Sequence, residues 1–176
     1  VTGVQTCALP IWPHANVDTD TIIRIEHLID AEHLQLREHA FAALRCRADG
    51  SLDPDCPFNL EANRDAPILV AGRNFGCGSS REHAVWALQA LGLRCVIAES
   101  FGDIFASNCL QNGLLPICVP ASDVAVLLDA AVRREIFHVD LLRRCIETSG
   151  HRIEFEIDEW RRQRLLSGLG DIEHTL

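Results

Sequence analysis

What the sequence lacks narrows its function before any motif is read. Its eight cysteines, Cys7, Cys46, Cys56, Cys77, Cys95, Cys109, Cys118 and Cys145, form no CxxC pair. None of its eight histidines stands four residues from another. Those spacings are how a short stretch gathers metal ligands, so no metal held by this chain is expected. Cys95 and Cys118 lie inside the apolar runs RCVIA and LPICV, where a thiol packs as a small core residue. A reducing cytoplasm without structural disulfides is the expected setting. Positive charge is scarce as well. The net charge of -9 carries no basic stripe, which argues against a nucleic-acid partner. The most basic stretch, Arg161, Arg162 and Arg164, lies beside Asp158 and Glu159 and reads as a solvated helix face. No apolar run approaches the ~20 residues of a membrane span, so no membrane partner is expected. P-loop, GxGxxG and GxSxG patterns are absent, as are internal repeats and low-complexity tracts.

The chain's 176 residues suit a single domain with a proper core. Residues 1–12, VTGVQTCALPIW, stand apart: they carry no charge, no positive n-region and no small-residue cleavage site, unlike a signal peptide. They resemble translated sequencing-adaptor read-through, a non-native segment in place of the original N-terminus. On that reading they make no native contacts of consequence, and their deletion costs within about 0.5 kcal/mol.

Residues 13–176 read as the domain proper. After the polar turn ANVDTD comes the apolar run Ile22 to Ile29. Residues 31–45 are predicted helical, with Leu34, Leu36, Ala40, Phe41 and Leu44 buried. A turn-rich connection with DG and DP bends follows. Then strands and helices alternate. PILVAG (67–72), RCVIA and LLPICV are strands. Helices are predicted from about Ser80 to Leu91 and stopped by Gly92, from a cap at Asp103 to about Asn112, and from a cap at Ser122 to about Phe137. Ile153, Phe155 and Ile157 alternate in a closing strand–turn–strand, before a short amphipathic helix EWRRQRLLSGL. Strands alternating with helices indicate an α/β domain.

The corner GRNFGCGSSRE (72–82) joins a strand to a helix. A glycine-rich turn at a helix start gathers free N–H groups and positive helix dipole, and Arg81 adds a planar fork suited to a carboxylate. The same residues fit a capping box, S-x-x-E, with Ser79 as N-cap and Glu82 its reciprocal partner. Spacing alone leaves both readings open: a small anion at a helix start, or a cap.

The run from GRNFGCGSSREHAVWAL to QNGLLPI, with NVDTD upstream and RLLSGLGDIEHTL at the end, resembles the small-subunit family of 3-isopropylmalate dehydratases. That family corresponds to the swivelling fourth domain of aconitase. The resemblance covers roughly residues 14–176 and implies a single swivelling β/β/α domain. It implies a hydro-lyase of leucine biosynthesis that isomerises 2-isopropylmalate and 3-isopropylmalate through isopropylmaleate. Activity then requires a heterodimer with a large subunit, which carries the [4Fe-4S] cluster; this chain binds no cofactor of its own. The resemblance carries the catalytic base onto Ser79 and substrate-carboxylate contacts onto Ser80 and Arg81. Thr19 and Asp20 match a position where the acid orients a histidine of the large subunit, with a plain Asx turn as the alternative. Arg24, in the stretch RIEHLI that varies with substrate, is a candidate contact near the isopropyl end, and a surface arginine otherwise. His83 is expected to support the site rather than carry a proton, and Cys77 to fill the turn. Two other readings stay open: a relative acting on homoaconitate, citraconate or dimethylmaleate, and a non-catalytic anion-binding subunit.

Overall fold

Runs that are apolar at every position make stable strands only in a sheet covered on both faces. Ile68–Ala71 (β3) and Cys95–Ala98 (β4) are such runs, and every residue in them is buried. The computed structural model describes residues 3–6, 11–27 and 36–167. In it a parallel sheet runs in the order β2 (Ile11–Trp12), β3, β4 and β5 (Leu115–Cys118). Because the strands are laid down in sequence order, the crossing helices α4 (Glu82–Ala90) and α5 (Asp103–Gln111) fall on one face. Leu69, Ala71, Val96 and Ala98 meet them there, joined by Ile22, Phe41 and Phe75. The alternate residues Ile68, Val70, Cys95 and Ile97 face the second core. That core is closed by α6 (Ala121–Val132) and an antiparallel sheet. The antiparallel sheet orders β1 (Gly3–Thr6), β6 (Phe137–Asp140), β7 (Cys145–Glu147) and β8 (Arg152–Glu154), with Val139, Ile146 and Ile153 in register across it. The helix α7 (Glu159–Ser167) packs Leu165 and Leu166 against this second core. The α/β class and the strand–helix alternation are as the sequence indicates.

Several boundaries differ, each for a tertiary reason. The helix expected over 31–45 is two short ones, α2 (Leu36–His39) and α3 (Ala42–Arg45); residues 31–35, with Leu34, lie outside the described residues. Between them Phe41 adopts a left-handed conformation, φ 52°. That kink puts its ring, fully buried, in a stack on Phe58 at 4.3 Å, while its N–H donates to the Ile22 carbonyl at 2.8 Å. The helix starting near Ser122 instead has Pro120 at its cap and ends at Val132, because Phe137 is taken into β6. Asp103 is the first residue of α5 rather than its cap, a position held by Gly102. The NVDTD segment adds one turn of helix, α1 (Thr19–Ile22), capped by the Asp18 carboxylate on the Thr21 N–H at 2.6 Å.

The expectation that residues 1–12 make no native contacts is corrected. Gly3–Thr6 pairs with β6, and Ile11 and Trp12 pair with Val70 and Ala71. The Trp12 carbonyl accepts the Gly72 N–H at 3.1 Å, and its ring lies 5.9 Å from Phe58. A ladder is built from backbone groups, so any extended, uncharged stretch satisfies it whatever its origin. Trp12→Ala is therefore expected to lower the unfolding free energy by about 2 kcal/mol, less than the roughly 3–5 kcal/mol for a fully buried aromatic because Trp12 is half-buried. Deleting residues 1–12 should cost at least as much. Urea melts of both variants check this, and a loss under about 0.5 kcal/mol would restore the idea of a passenger segment.

Candidate active site at the carboxyl edge of the parallel sheet

Loops that leave the carboxyl ends of adjacent parallel strands converge on one edge, where open α/β sheets bind ligands. Here these are the segments after β2 (13–18), after β3 (72–81) and after β4 (99–102). Single bridges zip them together, Asp18 to Cys77 and Phe75 to Phe101. The Gly76 N–H donates to the Val17 carbonyl at 2.7 Å, and the Thr19 N–H to the Cys77 carbonyl at 2.9 Å. Gly76 has φ 71°, and a Cβ there would overlap the Phe105 ring, which packs edge-on against Phe75 at 5.6 Å. Only glycine fits both demands.

This zipping brings the two motifs side by side. Thr19, buried at 1% exposure, donates its hydroxyl to the Ser79 carbonyl at 3.1 Å. The same carbonyl accepts the Arg81 N–H at 2.8 Å. Asp20, on the outer side of α1, pairs with the Arg81 guanidinium. The arginine is the more buried partner, with its side chain 18% exposed against 55% for Asp20. Ser79 and Ser80 are exposed.

The capping-box expectation fails. The helix α4 begins at Glu82, with Arg81 extended at the cap position and no side chain capping its first N–H groups. Glu82 does not reach back; its carboxylate accepts from the Asn112 amide at 2.8 Å. The Ser79 hydroxyl is therefore not spent on a cap, and the positive start of a nine-residue helix lies next to it. An anion, or a group that becomes one, is what this arrangement favours.

The remaining candidates divide. Arg24 is not brought into the corner: its guanidinium pairs with Glu26 at 3.2 Å, in an exposed position. His83 sets its ring edge against Trp86, three residues along the same helix, at 4.6 Å. Cys77 is half-buried in the turn. Burial holds the thiols of Cys95 and Cys109 well above the usual range, which keeps them protonated and unsuited to ligation. Among the described residues no three His, Cys, Asp or Glu side chains converge as ligands would. Sequence reasoning missed Asn112 as the partner of Glu82. It also missed Thr19 as the anchor of the Ser79 carbonyl, although the Asp-Thr-Asp run marked the segment as unusual.

Residues 7–122 match the family described as the aconitase C-terminal domain. The chain is 50% identical over 179 aligned residues to the 3-isopropylmalate dehydratase small subunit of Rhizobium johnstonii, covering all of this chain and 87% of the relative. The chain belongs to the small-subunit family of 3-isopropylmalate dehydratases. The small subunit of Paramagnetospirillum magneticum is 49% identical with the same coverage. A crystal structure of 3-isopropylmalate dehydratase from Methanocaldococcus jannaschii shares the fold, with a TM-score of 0.74 and 28% identity over 98% of this chain and 93% of that one. The swivelling β/β/α domain expected from the resemblance is thus the architecture of this small-subunit family.

The geometry separates the two roles once open for Ser79. With no cap to lose, Ser79→Ala should change the unfolding free energy by less than about 0.5 kcal/mol, where an N-cap serine would cost about 1. Gly76→Ala should cost more than about 2 kcal/mol, since a positive φ and an overlap with Phe105 act together. Denaturant melts of the two variants, compared directly, check the assignment.

Proposed function

We propose that this chain is the small subunit of a 3-isopropylmalate dehydratase, interconverting 2-isopropylmalate and 3-isopropylmalate through isopropylmaleate in leucine biosynthesis. Ser79 is the proton-transferring group in that reading. The observation that carries it is the exposed Ser79 hydroxyl beside the uncapped start of α4, with its own carbonyl held from two sides.

In the dehydration half, Ser79 Oγ as alkoxide takes a proton from the carbon next to a carboxylate. The electron pair of that C–H bond forms the C=C bond, and the hydroxyl leaves the neighbouring carbon with its own pair. The rehydration half runs backward with the two carbons exchanged: hydroxide adds to the carbon that lost its proton, and Ser79 Oγ returns a proton to the other. A [4Fe-4S] cluster on the large subunit supplies the Lewis acidity toward the hydroxyl when bound. The dispersed cysteines of this chain do not fit that group, so the cluster is assigned to the partner.

What this chain supplies is electrostatic. A serine alkoxide is stable only where fixed donors and positive charge surround it, and the first N–H groups of α4 and the Arg81 guanidinium are the groups at hand. Ser80 and Arg81 hold a substrate carboxylate. Thr19 fixes the Ser79 backbone and Asp20 aims Arg81, alongside the histidine-orienting role that the resemblance implies for the exposed acid. His83 braces α4 through Trp86. Arg24 keeps a part in substrate selection only if it leaves Glu26. The exposure of Ser79 and Ser80 suits a corner that closes against a large subunit in a heterodimer. A cytoplasmic setting belongs to the same proposal; separately, among the described residues no helix is long and apolar enough to cross a membrane.

The test is reconstitution with an iron–sulphur large subunit under anaerobic conditions. The small chain alone should show no turnover. In the complex, Ser79→Ala should lose roughly 10²–10⁴ in kcat with assembly intact. Ser79→Asp should fold, assemble and remain inactive, since it places a weak, charged base at the reacting carbon. Arg81→Lys keeps the charge but loses the fork, raising KM as well as lowering kcat. A near-normal rate for Ser79→Asp would overturn the assignment. Assaying wild type on homoaconitate, citraconate and dimethylmaleate separates this reading from its relatives.

A further inference from the structure

The most densely bonded side chain near the corner belongs to Asn112, which follows α5 as its C-cap. Its Oδ1 accepts the Trp86 indole N–H at 2.8 Å. An indole can only donate, so this bond fixes the amide's orientation and turns Nδ2 the other way. Nδ2 donates to the Asn108 carbonyl at 2.9 Å and to Glu82 Oε1 at 2.8 Å. The Asn112 carbonyl accepts Gln89 Nε2 at 2.6 Å. Glu82, Trp86 and Gln89 are spaced i, i+4 and i+7, one face of α4, so a single residue stitches that face to the end of α5.

The consequence for the site lies in Glu82. It is the residue after Arg81 and the first acid at the helix start, and its side chain is exposed. A carboxylate free at that point has the guanidinium of the adjacent residue, Arg81, as a partner of opposite charge. Arg81 donates Nη1 to Asp20, and no other acceptor is bonded to its fork among the described residues. A second protein carboxylate on that fork would compete with any carboxylate ligand.

Resting on the dehydratase reading above, we propose that Asn112 is a positioning residue for this site. Its amide draws the Glu82 carboxylate onto α5 and so reserves the free side of the Arg81 fork for a substrate carboxylate. Asn112 touches no substrate; it acts through Glu82.

Steady-state kinetics of the anaerobic holoenzyme test this. Asn112→Ala frees Glu82 and should raise KM for 3-isopropylmalate about tenfold with kcat within about threefold of wild type. Adding Glu82→Gln to Asn112→Ala removes the competing charge without restoring the stitch, and should bring KM back to within about threefold of wild type. A merely structural role predicts the reverse: the double variant stays as impaired as the single. If Asn112→Ala does not assemble, Asn112→Asp keeps the Trp86 bond while repelling Glu82, and gives the same KM rise and the same reversal by Glu82→Gln. An unchanged KM in Asn112→Ala, or a rise that Glu82→Gln leaves in place, overturns the proposal. An inactive wild-type holoenzyme instead overturns the dehydratase reading, and this inference with it.

Discussion

The position of the corner depends on one carbonyl held from two directions. The Ser79 oxygen accepts the Thr19 hydroxyl from below and the Arg81 N–H from the chain ahead. With its carbonyl anchored inward, Ser79 turns its side chain to the surface, and the chain reaches Arg81 in an extended state rather than entering the helix early. Thr19 can serve as the anchor only because α1 is itself fixed. Asp18 caps it, and Ile22 and Ile23 are buried in the core shared with α4. A surface hydroxyl is thus placed by core packing two steps removed. That is how a loop can hold geometry that helices and strands usually supply.

How much of this was legible in the sequence follows a physical division. The strands of the parallel sheet and the helices α4 and α5 were readable because burial on both faces leaves an unbroken apolar run, and because Gly92 and Gly113 end the helices at φ 98° and 77°. The misreadings sit where a distant partner outbids a local one. Serine followed by glutamate three residues on is a good local cap, but Glu82 found Asn112 at the end of another helix. Residues 36–45 have helical periodicity, but seating Phe41 against Phe58 costs a left-handed break. Residues 11–12 were set aside for their composition, whereas sheet pairing reads backbone and not composition.

The candidate site residues were named for a different reason. Thr19 and Asp20 stand some sixty positions from Ser79 and Arg81, with separations of 60 and 61 residues in the bonded pairs, and no spacing rule joins them. They were named only through resemblance, and the structure gives them a physical task that the resemblance did not: to hold the backbone and the arginine of this chain. Arg24 was named the same way and lies apart, paired to Glu26. Proximity in a variable segment is a weaker guide than a bond that a loop must make to keep its shape.

The exposure of Ser79 has a further consequence. In water, a helix start and a guanidinium stabilise a neighbouring anion only modestly, because solvent screens both. The same groups act far more strongly once water is excluded. On the proposed reading, a lone chain with Ser79 and Ser80 open to solvent holds an ordinary hydroxyl, and basicity would develop only when another surface covers the corner. Arg81 is already prepared for that step. It is mostly buried and aimed by Asp20, so closure need not order its flexible side chain. On the same reading Asp20, still more than half exposed, would lose solvation as the corner closed, and that loss would make sharing the fork with an incoming carboxylate more costly. If Glu82 stays turned toward α5 as proposed, the negative charge to be desolvated beside Arg81 is limited to that of Asp20 and the ligand.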